Sequence, residues 1–131
     1  MWKWIAAFPL FMHGMAHLSG FVASWAKQDA SYTDKPWIFP GGFTLHSAVG
    51  KAWGCLWLVT AIGLVSSAFG LLFAREWWPR LTLIASTLSL VAIVPWWCTV
   101  PAGAKAGVFF DLIIIAILLS TWGERIIQAL K

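Results

Sequence analysis

The chain has 131 residues, of which 60% are hydrophobic and 11% are charged, and its formal net charge is +4. Soluble globular proteins carry about 25% charged residues, so this chain has too few charges to cover a water-facing surface. Its nine Lys and Arg residues are scattered singly or in pairs at the ends of apolar segments, which excludes the continuous basic surface of a nucleic-acid-binding protein. The composition therefore predicts a single domain whose main partner is a lipid bilayer.

Four long apolar segments predict four transmembrane helices. At a rise of about 1.5 Å per residue, each segment is long enough to cross a hydrocarbon core of about 30 Å. The two short connections contain Pro, Gly or charged residues, so consecutive helices are expected to run in opposite directions. The predicted fold is all-α, an antiparallel up-down four-helix transmembrane bundle. Its predicted spans are residues 3–26, 50–74, 80–101 and 105–127, with an extramembrane loop over about 27–49.

The first span contains two histidines, His13 and His17. A separation of four residues places both on one helix face, one turn apart. Ionisable residues inside a span are costly, so they indicate a functional site. Lys3 ahead of an apolar run is also a feature of signal peptides, but the length of the run and its histidines favour a retained helix.

The long connection begins polar and becomes aromatic. Residues 36–43 (Pro-Trp-Ile-Phe-Pro-Gly-Gly-Phe) predict a loop that folds back onto the membrane surface and covers the bundle above His17. A membrane-hugging loop is favoured over a movable lid. His46 lies just before the second helix and is a third candidate ligand.

The later helices contain few polar residues. Asp111 is the one acidic residue in the apolar stretches that form the centres of the spans, residues 4–26, 52–74, 81–104 and 106–123, which makes it the fourth candidate site residue. Three hydroxyl residues on one face of the third helix, Thr82, Ser86 and Ser89, are interpreted as packing contacts. Pro95 is expected to kink the end of that helix. The two cysteines, Cys55 and Cys98, have apolar neighbours and no CxxC spacing, so they are predicted to be small buried side chains.

Counting residues from the span ends places His17 and Asp111 at a similar depth in the outer half of the bundle, with His13 about one turn deeper. In one interpretation, a hydrogen bond from His17 to Asp111 joins the first helix to the fourth. In the others, the histidines bind a haem or other tetrapyrrole, a transition metal, or a quinone. The metal candidates are His13, His17 and His46, completed by Asp111 or a cysteine. The pattern identifies no catalytic residue.

The Lys and Arg residues indicate the orientation of the spans. Five lie on the side that carries both termini and four on the other, a bias that favours both termini in the cytoplasm. The membrane expected for the chain is a bacterial inner membrane. The first group is Lys3, Arg75, Arg80, Arg125 and Lys131, and the second is Lys27, Lys35, Lys51 and Lys105. Ten of the eleven tryptophans lie near the predicted interfaces, where indole rings collect, and only Trp57 lies deeper.

Several sequence features resemble the small four-helix membrane proteins of the DoxX-like group. They are Phe11-Met12-His13-Gly14-Met15-Ala16-His17-Leu18-Ser19-Gly20-Phe21, the aromatic loop, residues 52–58, the Trp77-Trp78 turn and Phe109-Phe110-Asp111-Leu112. The resemblance covers nearly the whole chain in element order and hydropathy, although His-Gly-x-x-His departs from the DoxX pattern. It implies an up-down four-helix bundle and, by analogy with the founding members, a membrane subunit of a thiosulfate:quinone oxidoreductase.

These features predict an accessory subunit of a larger membrane complex, with a redox complex as one option, that associates with another membrane protein or with copies of itself. The main alternative is a stand-alone membrane oxidoreductase that uses His13, His17 and Asp111 with a quinone, haem or metal. A small transporter is the second alternative. The sequence contains no P-loop, Ser nucleophile elbow or HExxH motif, so it does not favour nucleotide hydrolysis, serine hydrolysis or a zinc protease.

Overall fold

The computed structural model describes residues 2–26, 31–33, 35–39 and 41–130. Across these ranges the regular structure is entirely helical, which confirms the all-α prediction. The helices are α1 (Trp2–Trp25), α2 (Ala48–Leu72), α3 (Trp78–Ile93, continued by a 3-10 turn over Val94–Trp96), α4 (Ala102–Leu119) and the short α5 (Gly123–Ala129).

Four helices in the described part of the chain are long and apolar enough to cross a membrane. They contain 24, 25, 19 and 18 residues, counting the 3-10 turn with α3. The prediction of an integral membrane protein with a helical bundle is therefore confirmed at this level.

Small residues bring α1 and α2 into close contact. A Cβ atom at Gly14 would lie 2.9 Å from Val65 Cγ2 and 3.0 Å from the Val65 backbone nitrogen. Further along, Gly54 of α2 faces Ser24 of α1, whose Cβ would lie 2.8 Å from a Cβ at position 54. Small residues allow membrane helices to approach at this distance, so α1 packs directly on α2.

The core consists of two apolar clusters. One contains Ala23, Leu45, Trp57, Ala92, Ile93, Trp96, Val100 and Val108, and the other contains Ala7, Leu10, Leu64, Ala68, Leu71, Trp78 and Ala85. Along α1, His13 and His17 fall between Leu10 of one cluster and Ala23 of the other, and along α3 Ser89 falls between Ala85 and Ala92. A polar layer therefore separates the two apolar clusters.

Two helix ends differ from the predicted spans. The α-helical part of the third span ends at Ile93, and the 3-10 turn that follows contains Pro95, where a kink was expected. The fourth helix ends at Leu119 rather than near residue 127, because Ser120 is extended with ψ 163°. The Ser120 hydroxyl donates to the Ile117 carbonyl at 2.7 Å and accepts from the Trp122 amide at 3.2 Å. Serine competes in this way with helical hydrogen bonding.

The described part of the long loop packs on the segment that follows α3. The Thr33 amide donates to the Thr99 carbonyl at 3.0 Å, and the Thr99 hydroxyl donates to the Lys35 carbonyl at 3.2 Å. The Trp37 ring packs edge-on against Trp53 and Trp96, with ring centroids 4.6 and 4.8 Å apart. Within the predicted loop, residues 27–30, 34 and 40 lie outside the described residues, as do Met1 and Lys131 at the chain ends.

The cysteines do not occupy the buried positions that were predicted. Cys55 and Cys98 are both exposed on the chain. Apolar neighbours in the sequence indicate an apolar environment, but in a membrane protein that environment is either the core or the lipid. The prediction was therefore wrong because local hydropathy does not distinguish these two surroundings.

A buried histidine and carboxylate cluster

Three of the four candidate site residues lie together. One ligand atom from each of His13, His17 and Asp111 can be chosen so that all three atoms lie within 4.8 Å of one another. Helix α1 supplies both histidines and α4 supplies the carboxylate. His46 is exposed just ahead of α2 and is not a member of this group, and neither cysteine belongs to it.

His13 contacts the carboxylate directly. Its Nε2 atom lies 3.1 Å from both Oδ1 and Oδ2 of Asp111. The Asp111 side chain is 0% exposed, and the His13 side chain is 11% exposed. Burial of a carboxylate at this depth is costly unless the carboxylate is paired. The hydrogen bond donated by the His13 imidazole offsets part of that cost.

His17 reaches the carboxylate through Ser89. His17 Nε2 lies 2.8 Å from Ser89 Oγ, and the Ser89 hydroxyl donates to Asp111 Oδ2. Because that donation uses the only hydroxyl hydrogen, Ser89 accepts from His17, and the proton of a neutral His17 resides on Nε2. The prediction of a direct hydrogen bond between His17 and Asp111 was therefore wrong, because Ser89 of α3 lies between the two side chains.

Ser89 is the site residue that sequence reasoning missed. It was interpreted as a packing residue together with Thr82 and Ser86. The Thr82 hydroxyl does donate to the Trp78 carbonyl of its own helix at 2.8 Å, and the buried Ser86 hydroxyl has no hydrogen-bond partner among the described residues. The sequence contained one signal that could have singled out Ser89. Of the three hydroxyl residues on this face of α3, Ser89 lies nearest to the end of the helix that meets the loop.

Aromatic rings and a glycine hold His13 in place. Its ring packs edge-on against His17 and Phe110, with centroid distances of 5.0 and 5.2 Å. A Cβ atom at Gly107 would lie 2.7 Å from His13 Cε1. The absence of a side chain at position 107 therefore lets α4 approach α1 closely enough to place Asp111 beside His13.

A small cavity opens beside the histidines. Its volume is about 40 Å³, and its lining includes His13, His17, Tyr32 and Trp57. Tyr32 belongs to the loop, and its hydroxyl lies 3.2 Å from the Ser19 hydroxyl. Burial raises the pKa of Tyr32, while the hydrogen bond with Ser19 acts in the opposite direction. The loop thus closes one side of the cavity with a neutral phenol.

The cluster has the chemical groups to hold a proton or a cation. Among the described residues, His13 is the basic side chain that contacts the Asp111 carboxylate, and no Lys or Arg is paired with it. The imidazoles offer nitrogen ligands, and the carboxylate offers negative charge in a medium of low dielectric constant.

The helices and this cluster define the class of protein, a small helical integral membrane protein with a buried polar site. Comparison of the chain with protein-family models, curated proteins and solved structures found no match. The side chains of the cluster therefore carry the functional inference.

Proposed function

We propose that this chain is an accessory subunit of a larger membrane complex, and that the cluster of His13, His17, Ser89 and Asp111 is its functional centre. The observation that carries this proposal is a completely buried carboxylate bonded to groups from two other helices. Polar groups at such depth are costly, and they concentrate at functional sites of membrane proteins. Joining two helices needs only one hydrogen bond, whereas this cluster has several and borders a cavity.

The arrangement we propose for the bundle is antiparallel and up-down. It is supported by contacts in which positions rise along one helix as they fall along the other. Near the end of α1, Trp25 Nε1 donates to the Lys51 carbonyl at the start of α2, at 3.0 Å. In the first half of α1, Phe11 packs edge-on against Phe69 near the end of α2, with centroids 6.1 Å apart.

We also propose a bacterial inner membrane, with both termini cytoplasmic and the site in the outer half of the bundle. The excess of Lys and Arg on the side of the termini supports this orientation. The DoxX-like assignment belongs to the same proposal, and the element order, the hydropathy of the chain and the residues around Asp111 support it. A redox role for the complex follows from that resemblance.

Helix α4 is the part of this subunit that we assign to the partner. The share of its apolar stretch that is buried inside the chain is 11%, compared with 44% for the apolar stretches of α2 and of α3. Its exposed face carries Phe109, Leu112, Ile113 and Leu119. Since α4 also supplies Asp111, a protein bound to its outer face lies next to the functional centre. The partner is another membrane protein or a second copy of this chain.

A matched pair of substitutions tests the assignment to α4. Ile113 of α4 is 57% exposed and Ile62 of α2 is 58% exposed, so tryptophan at either position adds similar bulk to an exposed surface. After mild detergent extraction from the native membrane, we expect the wild type and Ile62→Trp to migrate in a complex larger than the monomer. Ile113→Trp is expected to reduce the fraction of chain in that complex. A wild-type chain that migrates as a stable monomer, without a partner, contradicts the accessory-subunit proposal.

A stand-alone membrane oxidoreductase is the second candidate, and an apolar groove favours it. The groove has a volume of about 220 Å³, and its lining includes Pro9 and Leu10 of α1 and Phe110 and Ile114 of α4. Phe110 is also the ring that packs against His13, so a lipophilic molecule in this groove lies close to the cluster. Solvent extraction of the purified chain tests this candidate. A bound quinone supports it, and its absence together with a spectrum without a visible chromophore contradicts it.

A further inference from the structure

We propose that the cluster binds one divalent transition-metal ion of the zinc or ferrous-iron class. The ligands are Nε2 of His13, Nε2 of His17 and the carboxylate of Asp111. Each imidazole binds the ion as the neutral tautomer with its proton on Nδ1, so the Nε2 protons that donate in the metal-free cluster are lost from Nε2 when the ion binds. This inference rests on the proposal that the cluster is the functional centre, and it is independent of the accessory-subunit assignment.

The distances within the cluster suit such an ion. Metal–ligand bonds of about 2.0–2.1 Å place neighbouring ligand atoms of a tetrahedral site roughly 3.3 Å apart. His13 Nε2 already lies 3.1 Å from each oxygen of Asp111, and the three ligand atoms lie within 4.8 Å of one another. The 4.8 Å limit exceeds the spacing of roughly 3.3 Å by about 1.5 Å, so adjustment of the side chains alone brings all three atoms into bonding distance.

Ser89 marks the point on which the ligands converge. Its Oγ atom lies 2.8 Å from His17 Nε2 and 3.4 Å from His13 Nε2, and it donates to Asp111. All three ligand groups therefore already direct a polar atom at one position. An ion at this position requires the Ser89 side chain to rotate away, and its hydroxyl then orients the carboxylate by a hydrogen bond, which is the usual role of a group that contacts a metal ligand.

Charge and ligand type favour a transition metal over Mg²⁺ or Ca²⁺. Two neutral imidazoles and one carboxylate give the site a charge of about −1, with no Lys or Arg paired to it among the described residues. A divalent cation supplies the positive charge that a buried carboxylate needs. Imidazole nitrogen suits zinc and iron, whereas Mg²⁺ and Ca²⁺ prefer an all-oxygen set.

The adjacent cavity provides an open coordination position. At about 40 Å³ it is large enough for a water molecule beside the two histidines. Pockets for haem-sized or drug-sized molecules occupy about 300–1,000 Å³, so this cavity favours a small ligand on an ion. Three protein ligands with a fourth position open to water are typical of catalytic metal sites, whereas structural sites are closed by four protein ligands.

Metal titration of the purified chain tests the proposal. Full-length protein without a polyhistidine tag is stripped with a chelator and titrated with Zn²⁺ and Co²⁺, with Mg²⁺ as the negative control. We expect one Zn²⁺ or Co²⁺ per chain and a visible Co²⁺ absorption band. His13→Gln, His17→Gln and Asp111→Asn are each expected to weaken binding by more than roughly 100-fold, because the loss of an outer partner alone costs 10–100-fold. Ser89→Ala is expected to fall within that smaller range.

The matched control is His46→Gln, which removes an exposed histidine outside the cluster and is expected to leave binding unchanged. X-ray absorption of the Zn²⁺-loaded wild type gives a second readout that does not depend on whether a variant folds, with two imidazoles expected at about 2.0 Å. The proposal is overturned if the wild type does not bind the metal stoichiometrically. It is also overturned if His46→Gln abolishes binding while Asp111→Asn retains it. A chain that binds metal but migrates as a monomer contradicts the accessory-subunit assignment alone.

Discussion

Asp111 is the acceptor shared by the whole cluster. It accepts from His13 through both oxygens and from Ser89 through Oδ2, and it is completely buried. Removal of this one side chain leaves donors on two other helices without a partner. Each unpaired buried donor costs about 1–3 kcal/mol, which is more than a single exposed contact contributes.

Two substitutions at position 111 separate shape from hydrogen bonding. Asp111→Asn keeps one acceptor oxygen, so we expect it to lower the free energy of unfolding by about 1 kcal/mol. Asp111→Leu keeps the approximate volume but removes both acceptors, and a loss of about 2–4 kcal/mol is expected. Reversible unfolding in mixed micelles measures both, with the exposed Glu124→Gln as the control for loss of one negative charge. A leucine variant as stable as the asparagine variant means that the hydrogen bonds of Asp111 do not stabilise the bundle.

Two glycines of α4 form a matched pair. A Cβ atom at Gly103 meets nothing within 4 Å, whereas a Cβ atom at Gly107 lies 2.7 Å from His13 Cε1. Gly103→Ala is expected to be neutral or to stabilise by up to about 1 kcal/mol, because alanine lowers the entropy cost of the helix. Gly107→Ala is expected to destabilise by about 1–3 kcal/mol, because the methyl group displaces His13. The same unfolding measurement distinguishes them, and equal stabilities contradict the close approach of α4 to His13.

At the level of elements, the contact of α1 with α2 determines which way the histidines face. Gly14 lies between His13 and His17 in the sequence and contacts Val65 of α2. With Gly14 directed at α2, the imidazoles on the adjoining faces of α1 turn toward α3 and α4. The His-Gly-x-x-His pattern thus combines the two histidines of the cluster with the packing contact that orients them.

Valine at position 14 tests this contact. Its methyl groups overlap the backbone and side chain of Val65, so Gly14→Val is expected to lower the free energy of unfolding by about 1–3 kcal/mol. The neighbouring Met15 is 42% exposed, and Met15→Val, which places the same β-branched residue on the outer face, is expected to cost under about 1 kcal/mol. Similar losses for both variants point to valine itself, and not to the α1–α2 contact, as their cause.

A second prediction at this level concerns the loop. Thr99 donates to the Lys35 carbonyl, whereas the exposed Thr87 donates only to Leu83 of its own helix. Thr99→Val is expected to remove about 1 kcal/mol of local stability from the loop. The control substitution Thr87→Val is expected to leave the stability of the loop unchanged. Amide hydrogen exchange at Thr33, whose N–H bonds to the Thr99 carbonyl, measures the difference. Unchanged exchange at Thr33 in Thr99→Val contradicts a loop held by this hydrogen bond.

At the level of the whole molecule, the orientation we propose predicts where engineered thiols react. The test uses a background of Cys55→Ser and Cys98→Ser. Exposed position 35 lies in the connection that precedes α2, and exposed position 76 lies in the turn that follows it. With cytoplasmic termini, Lys35→Cys is expected to react with a membrane-impermeant maleimide in intact bacterial cells. Glu76→Cys is expected to react only after permeabilisation, which also provides the positive control for both. The reverse pattern of labelling would mean that the termini lie outside the cytoplasm. Reaction of both engineered cysteines in intact cells contradicts a membrane-spanning α2.

The sequence alone was sufficient to predict four long apolar helices and to single out His13, His17 and Asp111, which the structure brings together. Hydropathy is a local property, so four apolar stretches predict four long helices whatever their packing. The separation of His13 and His17 predicts a shared face because the helical repeat is also local. An acidic residue inside a span identified Asp111 without any knowledge of its neighbours.

Only the tertiary structure decided which of these groups meet. It pairs His13 with Asp111, brings Ser89 between His17 and the carboxylate, leaves His46 outside the group and exposes both cysteines. These outcomes depend on how far each helix is rotated and shifted against its neighbours. Close approaches at Gly14 and Gly107 set that rotation and shift, and each of them joins residues that are distant in the chain. Neither hydropathy nor helical periodicity contains that information, because both are properties of one segment at a time.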